Sequence, residues 1–143
     1  MKVLVLNGPN LGRLDLRDSN IYGSLDFAGL KSEIVSTGKE LGFECDVRQS
    51  DSEVEIISWL HEAADTNTPV VINPAAFTHY SYAIRDAADM VKAPLIEVHL
   101  SNPMSREEFR HTSVISGVAN GTIAGFGPDS YRLALIALSR MAK

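Results

Sequence analysis

The sequence predicts an α/β fold, a five-stranded parallel sheet with helices on both faces, and three observations carry that prediction. Short apolar runs of strand length alternate with longer segments whose apolar residues recur at helical spacing. The runs are apolar at nearly every position, as strands covered on both faces are. They also break at turn residues, Asn7-Gly8-Pro9 after the first and Asn73-Pro74 after the third.

Residues 3–6, Val-Leu-Val-Leu, form the first strand. A helix follows over 25–41, with Leu25, Leu30, Ile34 and Leu41 on its apolar stripe and Gly42 ending it. Residues 43–47 alternate and read as the second strand. Ser52-Glu53-Val54-Glu55 resembles a helix start, continued by Ile56, Ile57, Trp59, Leu60 and Ala63. Residues 70–72 are the third strand, 80–91 a helix stopped before Pro94, and 95–100 the fourth strand. Residues 106–109 suit one helical turn, 122–126 a fifth strand, and 130–141 a closing helix with Leu133, Leu135, Ile136 and Leu138. Right-handed crossovers leave few ways to connect these elements. The commonest is a flavodoxin-like three-layer sandwich with strand order 2-1-3-4-5.

At 143 residues the chain has the length of one domain, 1–143, with no repeat or linker. Hydrophobic residues make up 45% and charged residues 22%, the composition of an ordinary globular protein. A net charge of −5 with scattered Lys and Arg argues against a nucleic-acid partner. The one basic cluster, from Arg106 to His111, is diluted by Glu107 and Glu108. Cys45 stands alone, so no internal disulfide forms, and its strand position reads as a small buried residue. No Cys/His spacing suggests zinc, and no cofactor fingerprint is present. The first apolar run is too short for a signal peptide and nothing has the length of a membrane span, so the expected location is cytoplasmic.

In this topology ligands bind beyond the carboxyl ends of the strands, where the strand order reverses. The residues exported there are Asn7, Gly8, Pro9 and Asn10, then a long loop, 8–24, carrying Arg13, Arg17 and Tyr22. Arg48, Gln49 and Ser50 follow strand two; Asn73, Pro74, Thr78 and His79 follow strand three; His99, Ser101 and Asn102 follow strand four. A βα loop of that length reads as a lid. The rim has no carboxylate pair, no cysteine, no G-x-S-x-G elbow and no phosphate loop. Lys2, Lys31, Lys39, Lys92 and Lys143 fall away from it, which leaves a Schiff-base mechanism without its amine. Proton transfer on an anionic, hydroxylated substrate remains.

Three motifs now resemble one family. Asn7-Gly-Pro-Asn-Leu11 with Arg17 and Tyr22-Gly23 is similar to the opening signature of the type II 3-dehydroquinate dehydratases. Asn73-Pro-Ala-Ala-Phe-Thr-His79 resembles their second signature. Ile96-Glu-Val-His-Leu-Ser-Asn102 with Arg106-Glu-Glu-Phe-Arg110 resembles their third. The register holds from residue 2 to about 140.

The resemblance implies a cofactor-free lyase of the shikimate pathway, which removes water from 3-dehydroquinate through an enolate. Tyr22 is implied as the general base. Since a free phenol has a pKa of about 10, the base needs a neighbouring cation, and Arg17 matches the family's arginine. His99 is implied as the general acid, with Asn73 helping to position it, and Asn10 as the holder of a water at the enolate oxygen. Ser101 with the backbone N–H groups of Leu100 and Ser101 would take the carboxylate, and His79 and Arg110 the ring hydroxyls. Asp86 matches a residue that reaches a neighbouring subunit's site, because the family assembles trimers into dodecamers. No metal is implied.

Three lid positions, Gly12, Asp15 and Ser19, depart from the family pattern, and Asp15 is expected to compete for Arg17. Asp51 stands where the family often has Asn. His61 and His111 read as structural or exposed, Trp59 as core or interface, and Asn7 and Gly8 as shaping the turn. Two other functions compete with this one. A flavodoxin-like binding or signalling domain would carry an acidic cluster or a Ser/Thr/Gly-rich phosphate loop after the first strand, and neither is there. A family member with altered activity would look the same apart from the lid.

Overall fold

The computed structural model describes residues 1–141; Lys143 lies outside the described residues. Five strands, β1 (Lys2–Asn7), β2 (Glu44–Gln49), β3 (Val70–Asn73), β4 (Leu95–His99) and β5 (Gly121–Ala124), pair in parallel in the order β2-β1-β3-β4-β5. The helices are α1 (Ser19–Tyr22), α2 (Phe27–Glu40), α3 (Glu53–Thr66), α4 (Tyr82–Asp89) and α5 (Asp129–Met141). This is the flavodoxin-like α/β sandwich that the sequence predicts.

Strand periodicity explains the two layers. Val3 and Val5 of β1 pack with Leu30 and Ile34 of α2 and with Leu135 and Leu138 of α5. Leu4 and Leu6 point the other way, onto Ile56 and Leu60 of α3 and Ile84 and Ala87 of α4. Both faces are covered, so β1 is apolar at every position from 3 to 6. Each fully buried Leu or Ile contributes roughly 1.5–3 kcal/mol.

Side-chain caps set the helix starts. Asp26 accepts from the Gly29 N–H at 2.8 Å, Ser52 from Glu55 at 3.4 Å and Ser81 from Ile84 at 3.1 Å. Hence α2 begins at Phe27 instead of Leu25, and α4 at Tyr82 instead of Tyr80. β5 stops at Ala124, earlier than expected, because Gly125 turns to φ +95°. β2 runs on through Arg48 and Gln49, which the sequence reading placed beyond the strand.

Two connections differ from expectation. Segment 8–24 is not an open loop: it holds a 3-10 stretch, Leu11–Leu16, and the single turn α1, capped by Asp18 through the Asn20 N–H at 2.9 Å. Leu11 and Leu14 anchor it in the core. The β4–β5 connection has no α-helix, only 3-10 turns at Pro103–Ser105, Glu108–His111 and Ser116–Val118. The helical turn expected over 106–109 is thus a 3-10 turn starting at Glu108.

At the carboxyl ends the strands are tied together. Gly8 N–H donates to the Asn73 carbonyl at 2.8 Å, and a Cβ on Gly8 would lie 2.4 Å from the Pro74 carbonyl oxygen, so only glycine fits. The fully buried Tyr131 of α5 donates its hydroxyl to Asn7 Oδ1 at 2.6 Å and accepts from Asn73 Nδ2 at 2.9 Å. Asn7 Nδ2 in turn reaches the Arg48 carbonyl at 3.0 Å. Desolvation raises the Tyr131 phenol well above its ordinary value, so it stays protonated as the donor this network needs. Tyr131→Phe is expected to leave two buried amides short of a partner and to cost about 2–3 kcal/mol, read by urea unfolding with an unchanged m-value. A loss under about 0.5 kcal/mol would show that the amides re-pair on their own.

Candidate active site

One cavity opens at the carboxyl ends of β1, β3 and β4, where the strand order reverses. Every residue that the sequence assigned to the site lines it except Asp86: Asn10, Arg17, Tyr22, Asn73, His79, His99, Leu100, Ser101 and Arg110. Arg106 lines it as well. No Asp or Glu does, so a chain of net charge −5 holds a cavity walled by three arginines and two histidines.

Tyr22 is only 9% exposed and lies between two guanidinium groups. Arg17 donates from Nη2 to the Tyr22 hydroxyl, its guanidinium 4.1 Å from the ring centroid. Arg106 covers the same ring at 4.9 Å and donates from Nη1 to Ser101 Oγ at 3.2 Å. Its buried Nε has no hydrogen-bond partner, and the nearest carboxylate, Glu107, is 3.9 Å away. Local structure explains this grip. Asp18 caps α1, Gly23 at φ +85° ends it after one turn, and the five-residue spacing brings Arg17 back over Tyr22.

Across the cavity, His99 is 8% exposed and Glu97 1% exposed. Residues two apart in a strand share a face, so β4 places both on the side covered by the segment after His111. His99 Nε2 lies 2.5 Å from Glu97 Oε2, which leaves Nδ1 as the ring nitrogen for the cavity. Burial pushes the Glu97 carboxyl up, but hydrogen bonds from His99, Ser116 and Ser113 outweigh it and hold the carboxyl below its ordinary value.

The other predicted residues fall as follows. Asn10 adopts a left-handed φ of 68°, its N–H held by Asp51 Oδ1 at 2.9 Å. Asn73 uses its amide on Tyr131 and, through Oδ1, on the Ala75 N–H at 3.1 Å, so it makes no hydrogen bond to His99. Its bond to Ala75 holds that residue at φ +53° where the chain turns along the cavity wall. His79 Nδ1 lies 2.8 Å from the Thr112 carbonyl; a carbonyl only accepts, so Nδ1 carries the proton. The backbone N–H groups of Leu100 and Ser101 find no backbone acceptor among the described residues. Arg110 donates from Nε to Glu107 at 3.1 Å while lining the cavity. Asp86 is exposed on α4, away from this chain's cavity.

Asp15 does not compete for Arg17. It pairs with Arg13 at 3.1 Å, on the outside of the segment. Gly12 faces Gln49, whose Oε1 would be 2.7 Å from an added Cβ. His111 is exposed but holds the Arg106 carbonyl at 3.0 Å. Trp59 is half-buried, with the Arg48 guanidinium 5.6 Å from its ring. Cys45 is half-buried in β2, and desolvation pushes its thiol up to about 11.

Sequence reasoning missed Glu97 and Arg106. Glu97 had a signal: a charge inside an otherwise apolar strand, two residues before a candidate histidine. Arg106 stood in the third motif without a role, since its contact with Tyr22 bridges 84 residues of chain (106 − 22). Among the described residues, no three His, Cys, Asp or Glu side chains gather as a metal site. No described helix is long and apolar enough to cross a membrane.

The chain matches the family described as dehydroquinase class II over residues 1–139. It is 56% identical to a 3-dehydroquinate dehydratase of Salinispora tropica over the full length of both chains. It is 53% identical to one of Mycobacteroides abscessus over 94% of each. It superposes on the crystal structure of type II dehydroquinase from Propionibacterium acnes with TM-score 0.95 and 53% identity, covering 97% of this chain and 96% of that one.

Two shifted groups set this site's share of the pH dependence of stability. His79 is lowered from 6.5, by desolvation first and then by the charges of His99 and Arg110, against the Thr112 carbonyl. Glu97 is lowered from 4.5. Both therefore bind fewer protons folded than unfolded, and their stabilisation is complete above the unfolded values. Stability is expected to fall as pH drops below 6.5 and more steeply below 4.5. In urea unfolding across this range, His79→Asn should lose the first decline and keep the second.

Proposed function

The chain belongs to the class II dehydroquinase family, and from that premise we propose that it dehydrates 3-dehydroquinate to 3-dehydroshikimate in the shikimate pathway of aromatic amino acid biosynthesis. The observation that carries the reading is Tyr22, clamped by Arg17 and Arg106 in the same cavity as the His99–Glu97 pair.

The elimination runs in an anti sense, with no cofactor. Tyr22, as phenolate, takes the proton from the carbon beside the ketone, and the C–H electron pair moves into an enolate. The Arg17 guanidinium at the phenol oxygen, with that of Arg106 over the ring, stabilises that anion in a partly desolvated cavity. Asn10 holds a water against the enolate oxygen, a small oxyanion device. The enolate then re-forms the ketone and expels the neighbouring hydroxyl, which leaves as water with a proton from His99 Nδ1. Glu97 supports the imidazolium by pairing with Nε2.

Recognition follows from the same walls. The substrate carboxylate sits on Ser101 and on the N–H groups of Leu100 and Ser101, with Arg106 alongside. His79 and Arg110 take the ring hydroxyls, and Asn73 shapes the wall between His79 and His99. Residues 1–143 act as a single catalytic domain in the cytoplasm, assembled as a homododecamer, a tetramer of trimers. Asp86 reaches the cavity of a neighbouring subunit. Exposed apolar residues on and beside its own helix, Tyr82 at 69% and Met90 at 53%, support a subunit contact there.

Product absorbance after addition of 3-dehydroquinate tests the reading, with a metal chelator present and a borohydride-treated sample alongside. Turnover is expected to survive both treatments and to fall by about 10³-fold or more in Tyr22→Phe. Arg17→Ala and Arg106→Ala should each lose about 10²-fold in kcat. Wild-type protein without turnover, or Tyr22→Phe with nearly full turnover, would sink it.

A further inference from the structure

The carboxylate of Glu97 receives more than His99. Ser116 Oγ lies 2.8 Å from Oε1, and Ser113 Oγ lies 2.9 Å from Oε1 and 3.2 Å from Oε2. Ser113 Oγ already accepts the N–H groups of Ile115 at 3.1 Å and Ser116 at 3.0 Å, which uses both lone pairs and leaves its proton for Glu97. Ser116 Oγ accepts from Thr122 Oγ1 at 3.2 Å and donates its own proton to Glu97. A protonated Glu97 would need an acceptor, and His99 Nε2 lies 2.5 Å from Oε2. The serines therefore act on a single question, which side of the Glu97–His99 hydrogen bond holds the proton.

We propose that Ser113 and Ser116 are positioning residues of the reaction: their fixed hydroxyls keep Glu97 a carboxylate, so that the shared proton stays on His99 and the imidazolium can deliver its other proton at Nδ1. The inference rests on the dehydratase reading above. His79, Arg106, Arg110, Arg17 and Tyr22 line the cavity beyond His99, β3 and α5 bring Asn73 and Tyr131, and on the serine side Arg85 of α4 donates to the Val114 carbonyl at 2.6 Å. The serine donors and His99 offset the burial of Glu97, and no carboxylate lines the cavity in front of His99. The segment that carries the serines replaces the helix that would otherwise cover this corner of the sheet, and it brings hydroxyls where a helix would bring apolar side chains.

The test follows the Glu97 carboxyl by 13C NMR in free protein, beside steady-state kinetics. In Ser116→Ala the titration midpoint of Glu97 is expected to rise by about one unit, a tenfold change in proton affinity, with kcat down about tenfold and KM within about twofold. Ser116→Thr keeps the hydroxyl and should restore midpoint and kcat together. Ser113→Ala tests the second donor independently and should move the midpoint the same way. A Glu97 midpoint that stays put in both alanine variants, with wild-type turnover intact, overturns the inference alone. Absence of wild-type turnover overturns the dehydratase reading and the inference with it.

Discussion

The buried charge of Glu97 is the constraint around which this end of the molecule is arranged. A carboxylate with 1% exposure in the middle of a sheet is costly unless every lone pair is met. Two serines and a histidine meet it, and they cannot come from a helix packed on an apolar face. This accounts for the irregular β4–β5 connection. The chain leaves the βαβ pattern there to bring Ser113 and Ser116 under β4, while Ile115 between them still fills the core. The same connection carries Arg106 and Arg110 to the cavity on its way.

Charge is thus segregated over a short distance. Behind His99 lies a carboxylate in a cage of donors; in front of it lies a cavity with no carboxylate at all. Acidic groups near the mouth are kept busy elsewhere. Asp15 is held by Arg13, Glu107 by Arg110, and Asp51 by the Asn10 N–H and by Gln49 Nε2 at 3.1 Å. An anion entering the cavity therefore meets a wall without carboxylates, with Glu107 offsetting part of the charge of Arg110 and Arg106 from outside it.

The fold was legible because its signals are local. A strand buried on both faces must be apolar at consecutive positions, and a capping serine or aspartate must precede its helix, so Val3 to Leu6 and Ser52 announce themselves. Boundaries moved by two residues where a cap or a left-handed glycine, Asp26, Ser81 or Gly125, decided the end. The site was legible through its motifs, since Tyr22 and His79 lie beyond strand ends and His99 closes β4. What stayed hidden is what tertiary structure alone supplies. Arg106 meets Tyr22 across the cavity, Asn73 is taken by Tyr131 from 58 residues away, and the choice of Arg13 over Arg17 by Asp15 depends on which side of a 3-10 turn each one faces.

The segment between β1 and α2 links these observations. Arg17 and Tyr22 belong to one small unit, closed by the Asp18 cap and anchored by Leu11 and Leu14, whereas Arg106 belongs to the opposite wall. If the segment lifted as a body, Tyr22 would keep Arg17 and lose Arg106. It would also gain water, which screens charge far better than a cavity wall. Only the docked segment gives the phenol both cations in a desolvated setting, the setting that the proposed base requires. The outer residues of the segment fit that role. Gly12 leaves room for Gln49, which reaches the Gly8 carbonyl at 3.1 Å and binds Asp51. Asn10 in its left-handed turn sits at the start of the segment, and Gly23 ends it. Gly12 and Asp15 thus lie on the β2-facing or outer side of the unit, without touching the pair of side chains it delivers.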